Sequence, residues 1–293
     1  MRRLNANHSQ TPHRGSMPTF SLVVPTFGRA EELSRLFASL STQSPVNFEV
    51  IVVDQNDDDR VLPYLKFLGP DIVSRHIRIS KKNLSNARNV GLQHASGEYV
   101  AFPDDDCWYP AGLLPGVEKW FQGHPRYDIL AVGAQDEAGL SSGNRWPQDQ
   151  CDIRPYNSLR TTFSNSLFFK RSSLSDEILF DEKMLSSEET DYVLRQIRAG
   201  CSGRFDRSLH ICHPRRDMLS GTVSRRRAQR YGEGMGQLVR RHSLPLLWGG
   251  LLAYEFLRAA LVALRGNVSG ATFCLAHAYG LFRGYFTSVP QRG

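Results

Sequence analysis

The chain has 293 residues, of which 41% are hydrophobic and 22% charged, with 24 glycines and 15 prolines. This is the composition of an ordinary globular protein, which excludes a collagen, a coiled coil, a disulfide mini-protein and a largely disordered chain. The net charge of +7 is compatible with a nucleic acid, a membrane surface or a phosphate-bearing substrate as partner.

The predicted elements of the first 127 residues alternate between apolar strands and amphipathic helices. Strands are predicted at 20–24, 48–53, 72–79 and 99–102, and helices at 30–40, 61–68, 85–94 and 110–121. This alternation predicts an α/β fold with a mostly parallel sheet and right-handed crossovers. Ligands of such sheets bind beyond the carboxyl ends of the strands. Three segments follow strands there and are expected to meet, namely 25–27, 54–57 and 104–106.

The pattern is looser after Asp128. Further strands are predicted at 129–132 and 162–169, and a helix at 188–199 that Gly200 stops. Residues 139–157 are polar and rich in glycine and proline, so they are predicted to form a mobile loop.

The tail from residue 216 combines a basic segment with apolar runs at Ser243–Tyr254 and Asn267–Phe282. Each run is shorter than the ~18 residues of a spanning helix, which predicts two helices lying in a membrane interface. Helices packed on the rest of the chain, or an oligomer interface, fit equally well. The small residues of Tyr231–Gly236 indicate close helix packing and not phosphate binding, because no strand precedes them.

The basic charge is concentrated in one segment. Residues 203–242 contain ten arginines and no lysine against three acids, whereas 54–59 and 104–106 are acidic clusters. A nucleic-acid-binding protein more often spreads its basic residues over its surface, and no recognised motif is present, so no nucleic-acid partner is expected.

The five cysteines are widely spaced and include no CxxC pair. This disfavours a disulfide framework or a zinc site and predicts a reducing, cytoplasmic location. No apolar segment follows Arg2 and Arg3, so a signal peptide is not expected, and residues 1–17 are predicted to be disordered.

The triplet Asp104-Asp105-Asp106 comes directly after a buried strand. Three adjacent carboxylates repel one another, which favours a bound cation, and hard oxygen ligands suit Mg²⁺ or Mn²⁺ shared with substrate phosphates. The alternative is a solvated acidic turn. The apolar segments VAFP before the triplet and CWYP after it favour the cation site.

The segment NLSNARNVGLQHASGEYVAFPDDDCWYPAGLL at 83–114 closely resembles the inverting glycosyltransferases of family 2, which have the GT-A fold. SLVVPTFGRAEELSRLFASL and FEVIVVDQNDDD resemble the nucleotide-binding half of that family. FDEKMLSSEETDYVLRQIRAG resembles the region of its acidic motif. The resemblance covers 19–214 and implies a GT-A domain at 18–215, with a nucleotide-binding half to about 127, an acceptor half after it, and the helical tail at 216–293.

The resemblance also implies roles in binding the nucleotide. Pro25, Thr26 and Arg29 would line the pocket for the base, and Asp54 would hold the base or the ribose. Arg88 would face the nucleotide, with a surface arginine as the alternative.

Within the triplet, the resemblance implies that Asp106 is a direct ligand of Mn²⁺ or Mg²⁺. Asp104 would share the metal and lie closer to the ribose or sugar, and Asp105 would join the nucleotide-sugar site. His213 stands where some relatives have a further metal ligand, although a lone histidine is more often structural.

The base is expected among Glu188, Glu189 and Asp191. An inverting transfer needs one carboxylate to take the proton of the acceptor hydroxyl, and a metal to offset the charge of the leaving diphosphate. Glu189 stands where the family usually has aspartate and is the first choice. Asp191 is the second, and its alternative role is to complement the helix dipole.

These residues predict a metal-dependent, inverting glycosyltransferase of cell-surface polysaccharide biosynthesis. It would move a sugar from a nucleoside-diphosphate sugar to a hydroxyl of a saccharide, lipid-linked or free. It would work in the cytoplasm, with a peripheral contact to the cytoplasmic face of the membrane. A catalytically inactive sugar-nucleotide-binding or membrane scaffold is the main alternative, and a homo-oligomer stays open. A sugar-1-phosphate nucleotidyltransferase would need a glycine-rich loop after the first strand, where Gly28 stands alone.

Overall fold

The computed structural model describes residues 17–141, 147–214 and 222–287. The prediction of a disordered N-terminus concerns residues that, apart from Met17, lie outside this part of the chain, as does the predicted boundary near residue 215.

The strands within the described ranges form one eight-stranded sheet in the order β3-β2-β1-β4-β7-β5-β8-β6. The strands are β1 Phe20–Thr26, β2 Phe48–Asp54, β3 Val73–Arg78, β4 Tyr99–Ala101, β5 Ile129–Gln135, β6 Cys151–Asp152, β7 Leu167–Lys170 and β8 Gly203–Cys212. β1 to β4 run parallel, and so do β5 and β8. β7 joins the two groups by pairing antiparallel with both β4 and β5, and β6 is antiparallel to β8. The two predicted halves therefore share one continuous sheet.

Helices cover both faces of this sheet and form the tail. They are α1 Glu31–Leu40, α2 Leu62–Leu65, α3 Leu84–His94, α4 Leu113–Gly123, α5 Glu188–Arg198, α6 Thr222–Arg241, α7 Pro245–Leu264 and α8 Val268–Phe286. On one face, α1 and α4 bury their apolar stripes, and on the other face α3 and α5 do so. Because the central strands are covered on both sides, they are mostly apolar along their length.

Two predictions in the middle of the chain are corrected. The strand predicted at 162–169 is Leu167–Lys170, preceded by a short 3₁₀ helix at Ser164–Ser166. Thr162 bonds the carbonyl of Ser158 through its hydroxyl, and such local side-chain bonds compete with a strand ladder. The loop predicted at 139–157 contains β6, which the buried Ile153 anchors beside Gly203.

Glycines bring α6 and α8 into backbone contact. A Cβ atom on Gly280 would lie 2.1 Å from the carbonyl oxygen of Gln229, and one on Gly284 would lie 1.9 Å from that of Glu233. Gly232 and Gly236 of α6 approach the α8 backbone as closely. The close helix packing predicted for Tyr231–Gly236 is confirmed.

The prediction that both apolar runs are too short to span a membrane is wrong for the first. α7 has 20 residues and a mean hydropathy of 1.4, and is long and apolar enough to cross a membrane by length and composition. Glu255 lies within this helix and is buried, with Oε1 3.6 Å from Nδ1 of His277 on α8. Only 11% of the apolar stretch of α7 is buried.

Candidate active site

The three segments expected at one edge of the sheet do meet there. Thr26, the last residue of β1, donates from its hydroxyl to Oδ2 of Asp105 at 3.0 Å. The backbone N–H of Gly28 donates to Oδ1 of Asn56, which follows β2, at 2.8 Å. The carboxyl ends of β1, β2 and β4 thus enclose one site, as parallel strands with short loops require.

Arg29 bridges two carboxylates of the triplet. Its NH1 lies 2.7 Å from Oδ1 of Asp105 and 2.9 Å from Oδ2 of Asp106. Burial raises the pKa of Asp105 to about 6, although the charge of Arg29 and the Thr26 hydroxyl oppose the rise. Asp105, the middle carboxylate of the triplet, therefore holds the loop after β1 in place. Asp104 and Asp106 are the outer carboxylates of the triplet.

Asp54 is fully buried and fixes the neighbouring loop. Its Oδ1 accepts from the backbone and side-chain amides of Asn56 at 2.9 and 2.8 Å, and its Oδ2 lies 2.9 Å from Nε2 of His76. Pro25 is buried inside β1, paired with Val53. The contacts predicted from Asp54 and Pro25 to a nucleotide stay predictions.

Asp104, Asp106 and His213 form a candidate metal centre. One ligand atom from each lies within 4.8 Å of the others, and Nε2 of His213 is 3.4 Å from Oδ1 of Asp106. Two carboxylates and one imidazole suit Mn²⁺ and leave coordination positions for diphosphate oxygens; Mg²⁺ prefers an all-oxygen set. The donor set fits the predicted cation.

The backbone explains how a histidine 107 residues after Asp106 reaches it. Trp108, just after the triplet, exchanges two backbone hydrogen bonds of 2.9 Å with Cys212 at the end of β8. The N–H of His213 then donates to the carbonyl oxygen of Gln135 at 2.8 Å. These bonds fix the end of β8 beside the acidic triplet.

Arg88 links the triplet to the start of α5. It is 1% exposed, donates from NH1 to Oε1 of Glu188 at 2.8 Å, and has NH2 3.6 Å from Oδ1 of Asp104. The alternative of a surface arginine is therefore wrong. Its predicted contact with a nucleotide stays a prediction, because its described partners are the carboxylates of Glu188 and Asp104 and the ring of Phe180.

Glu189 is the carboxylate of α5 whose electrostatics suit a base. Burial, together with the adjacent Glu188, raises the pKa of Glu189, while Arg88 opposes the rise. A pKa closer to neutrality makes a carboxylate a better proton acceptor at physiological pH. Glu188, by contrast, is held by Arg88.

Asp191 lies in a different environment. It is fully buried, and its oxygens lie 2.8 Å from Nε of Arg195, 3.1 Å from NH1 of Arg241 and 2.9 Å from Nε2 of His242. Burial alone would raise its pKa, but His242 and the two arginines lower it to about 2. A carboxylate enclosed in this way cannot reach an acceptor, so the structure favours a structural role over that of the second-choice base.

The loop before α5 is positioned by α6. Ser187 adopts the left-handed conformation with φ 60°, and the hydroxyl of Ser186 donates to the carbonyl of Tyr231. A Cβ atom on Gly234 would lie 2.5 Å from the backbone nitrogen of Ser186, so only glycine allows this approach. The tail thus takes part in shaping the site.

Sequence reasoning missed several supporting residues. His76 of β3 holds Asp54, and His242 holds Asp191. No spacing pattern marks a partner that comes from a distant element. Asn165 donates to Oδ2 of Asp104 at 3.2 Å, although it lies in a 3₁₀ helix and not in the strand expected around it.

Relatives with known names match much of this chain. It is 28% identical over 261 residues to the pre-mycofactocin glycosyltransferase of Mycobacterium tuberculosis, a match that covers 83% of this chain and 53% of that protein. It is also 28% identical to the GalNAc(5)-diNAcBac-PP-undecaprenol beta-1,3-glucosyltransferase of Campylobacter jejuni, over 60% of this chain and 59% of that one. The chain thus spans little more than half the length of these relatives.

Solved structures with the same fold include two glycosyltransferases. The mannosyltransferase PcManGT of Pyrobaculum calidifontis, in complex with GDP-Man and Mn²⁺, gives a TM-score of 0.64 at 16% identity, covering 92% of this chain and 88% of that one. TarS of Staphylococcus aureus in complex with UDP-GlcNAc gives a TM-score of 0.59 at 16% identity, covering 90% of each chain. At this identity the likeness establishes the fold, which is GT-A with added C-terminal helices.

The family model for "Glycosyl transferase family 2" matches residues 21–177, which is more than half of the chain. That range contains the Arg29 bridge, Arg88 and the acidic triplet. The chain belongs to glycosyl transferase family 2.

Proposed function

We propose that the protein transfers a sugar from a nucleoside-diphosphate sugar to a saccharide hydroxyl, with inversion and with a divalent metal. The main support for this proposal is that one buried arginine, Arg88, joins two groups of acidic residues. Arg88 contacts Asp104 of the metal centre and Glu188 of α5 at the same time. This contact supports a metal centre next to α5, the helix that would carry the base.

The donor would lie across the carboxyl ends of β1, β2 and β4. Asp104, Asp106 and His213 would hold the metal, and Thr26 and Arg29 keep the triplet in place from β1. When bound, Mn²⁺ or Mg²⁺ would stabilise the negative charge that develops on the leaving diphosphate.

The transfer is a single displacement at the anomeric carbon. The acceptor oxygen forms a bond to that carbon, while the bond to the diphosphate oxygen breaks and its electron pair leaves with the diphosphate. Glu189 takes the proton of the acceptor hydroxyl, for which its raised pKa suits it. Arg88 holds Glu188 and prevents it from competing for that proton.

A groove beside the start of α5 supports an anionic acceptor. It has a volume of about 420 Å³ and is lined by Leu185, Arg226, Gln229, Arg230 and Glu233. Nε of Arg230 donates to the carbonyl of Leu185, three residues before Glu188. Guanidinium groups recognise phosphate well, so we assign a saccharide linked to lipid through phosphate as the acceptor class. Such an acceptor belongs to the synthesis of cell-surface polysaccharides.

We place the enzyme in the cytoplasm. All five cysteines are free thiols, including the buried Cys107, Cys201 and Cys274. Unpaired cysteines are typical of a reducing compartment.

The proposal is tested by titrating nucleoside diphosphates with and without Mn²⁺, then screening nucleotide sugars for metal-dependent hydrolysis and transfer. We expect thermal stabilisation by one diphosphate only when Mn²⁺ or Mg²⁺ is present, and turnover of the matching sugar. Anomeric configuration of the product, read by NMR, tests inversion. Metal-dependent binding without turnover of any sugar would instead indicate an inactive sugar-nucleotide-binding scaffold.

A further inference from the structure

The outer face of α7 is apolar along its whole length. Its exposed large apolar side chains are Leu246, Tyr254, Phe256, Leu257, Leu261 and Leu264, with Leu246 at one end 92% exposed and Leu264 at the other 84% exposed. The charged residues Glu255 and Arg258 lie on the other side, toward α8. A 20-residue helix is about 30 Å long, so this face is far larger than the isolated apolar residues of an ordinary surface.

Helix α8 extends the same surface. Its exposed residues Leu275, Tyr279, Phe282 and Phe286 recur at a spacing of three or four, and its opposite side packs on α6. Trp248 of α7 stacks on Tyr285 of α8 with ring centroids 4.3 Å apart, and its ring lies close to those of Phe282 and Phe286. Aromatic rings of this kind favour the boundary between lipid and water.

The exposed charge around this surface is positive. Residues 222–287 contain nine arginines and no lysine, against Glu233 and Glu255 as the acids, and both glutamates are buried. Arg240 lies over the ring of Tyr285 at one end of the α7–α8 pair, and the exposed Arg265 lies at the other end. Each cation near an anionic surface strengthens binding to that surface by about fivefold.

We infer that the outer face of α7, with the exposed stripe of α8, binds an anionic lipid bilayer, and that α7 lies in the plane of that bilayer. The inference goes beyond sugar transfer and does not depend on it. A second copy of the chain is the other occupant to consider. In a twofold dimer this face would meet itself and bring arginines together, without an exposed acid among residues 222–287 to pair with them.

The packing of α8 explains why α7 lies in the membrane plane although its length would allow it to span. The α7–α8 pair could cross a bilayer only if α8 left α6 or took α6 with it. The glycine contacts hold α8 against α6, and α6 carries Arg225, Arg226 and Arg227 on its surface. Charged side chains at the bilayer centre are costly, so α6 stays outside the hydrocarbon region.

The test is flotation of the full chain with vesicles of phosphatidylglycerol and phosphatidylcholine, compared with phosphatidylcholine alone. We expect binding to the anionic vesicles that weakens in 0.5 M NaCl, since salt screens exposed charges. Replacing both Leu257 and Leu261 by Asp should lower the partition coefficient roughly tenfold or more, because two apolar side chains no longer enter the interface.

Two matched variants control this result. L62D/L140D makes the same change at two exposed leucines outside the tail and should bind as wild type. R240Q/R265Q keeps the apolar face and should lose about fivefold per charge on anionic vesicles. Equal melting temperatures for wild type and variants exclude unfolding as the cause. Unchanged flotation of L257D/L261D would overturn the inference.

Orientation is read from Trp248 by quenching with brominated lipids, with Trp248→Phe as the blank. We expect stronger quenching by bromines near the headgroups than by bromines near the chain ends. Deep quenching with resistance to carbonate extraction would show that α7 spans, and so overturn the in-plane arrangement. Dimerisation through α7 without any vesicle binding would assign the face to a second copy instead.

Discussion

At the scale of single residues, the candidate metal centre combines side chains that are far apart in the sequence. The Asp106→Ala variant should lose metal-dependent binding of nucleoside diphosphate, by roughly 100-fold or more, because even outer-shell changes at metal sites cost 10- to 100-fold. The fold should be retained, since the change removes one of three clustered carboxylates and Arg29 keeps Asp105 as partner. Isothermal titration in Mn²⁺ measures the loss.

Asp71→Ala is the matched control for that variant. Asp71 is an exposed aspartate just before β3, at the edge of the sheet opposite the triplet. It should leave diphosphate affinity in Mn²⁺ unchanged. Equal affinity for wild type and Asp106→Ala would remove Asp106 from the metal centre.

Glu189→Gln keeps the size of the side chain but removes the proton acceptor. We expect donor affinity to hold and kcat to fall by roughly 10²- to 10⁴-fold, the scale of general acid–base catalysis. Because the pKa of Glu189 is raised, wild-type kcat should increase with pH as Glu189 loses its proton, and the variant should lack this increase. If Glu188→Gln were inactive and Glu189→Gln active, the two roles would be exchanged.

At the scale of elements, the ion pairs of Asp191 on α5 with Arg241 and His242 help to fix the position of α5, the helix that carries the proposed base. Asp191→Asn should destabilise the fold by about 3–5 kcal/mol at pH 7, since it leaves the buried Arg241 and His242 with a weaker partner. Urea unfolding measures the difference. A variant that unfolds like wild type but has lost turnover would restore Asp191 as a catalytic candidate.

The stability that Asp191 contributes to the fold depends on pH. The pKa of Asp191 is about 2 in the folded chain against 3.8 ordinarily, which corresponds to about 2 kcal/mol. This stabilisation is complete above pH 4 and is lost as the pH falls toward 2. The stability difference between wild type and Asp191→Asn should therefore narrow below pH 4, as urea unfolding at a series of pH values would show.

The α6–α8 contact gives a second prediction at this scale. Gly280→Ala should destabilise the tail by several kcal/mol, because its Cβ would meet the carbonyl oxygen of Gln229 at 2.1 Å. Gly250→Ala in α7 is the control, since no atom lies within 4 Å of its Cβ and alanine favours a helix by up to about 1 kcal/mol. The melting temperature should fall for Gly280→Ala and rise for Gly250→Ala. A neutral Gly280→Ala would show that the two helices are further apart than described.

At the scale of the whole molecule, the parallel half of the sheet could be predicted because its strands β1, β2 and β4 are buried on both faces. Phe20–Val24 and Phe48–Val53 are apolar except for Ser21 and Glu49, and a proline or an aspartate follows them. The meeting of Thr26, Asp54 and the acidic triplet then followed from topology alone.

The rest of the fold and of the candidate site could not be predicted from the sequence, because it depends on contacts between residues that are distant in the chain. The bond between Trp108 and Cys212 that brings His213 to the triplet joins residues more than 100 positions apart. The length of α7 was underestimated because Glu255 and Arg258 interrupt the apolar run in sequence, whereas on the helix they fall on the side facing α8. The sequence motif makes Asp191 a candidate for the base. Its contacts with Arg241 and His242 favour a structural role instead.

Helix α6 contacts both the candidate active site and the membrane-facing helices, and this limits which acceptors the enzyme could use. One helix contacts the loop before Glu188 and also carries α8, on which α7 rests. If α7 lies in the membrane plane, the active site stands at a fixed height above the lipid headgroups. The protein would then glycosylate only those saccharide chains whose free hydroxyl lies at the matching distance from their lipid anchor.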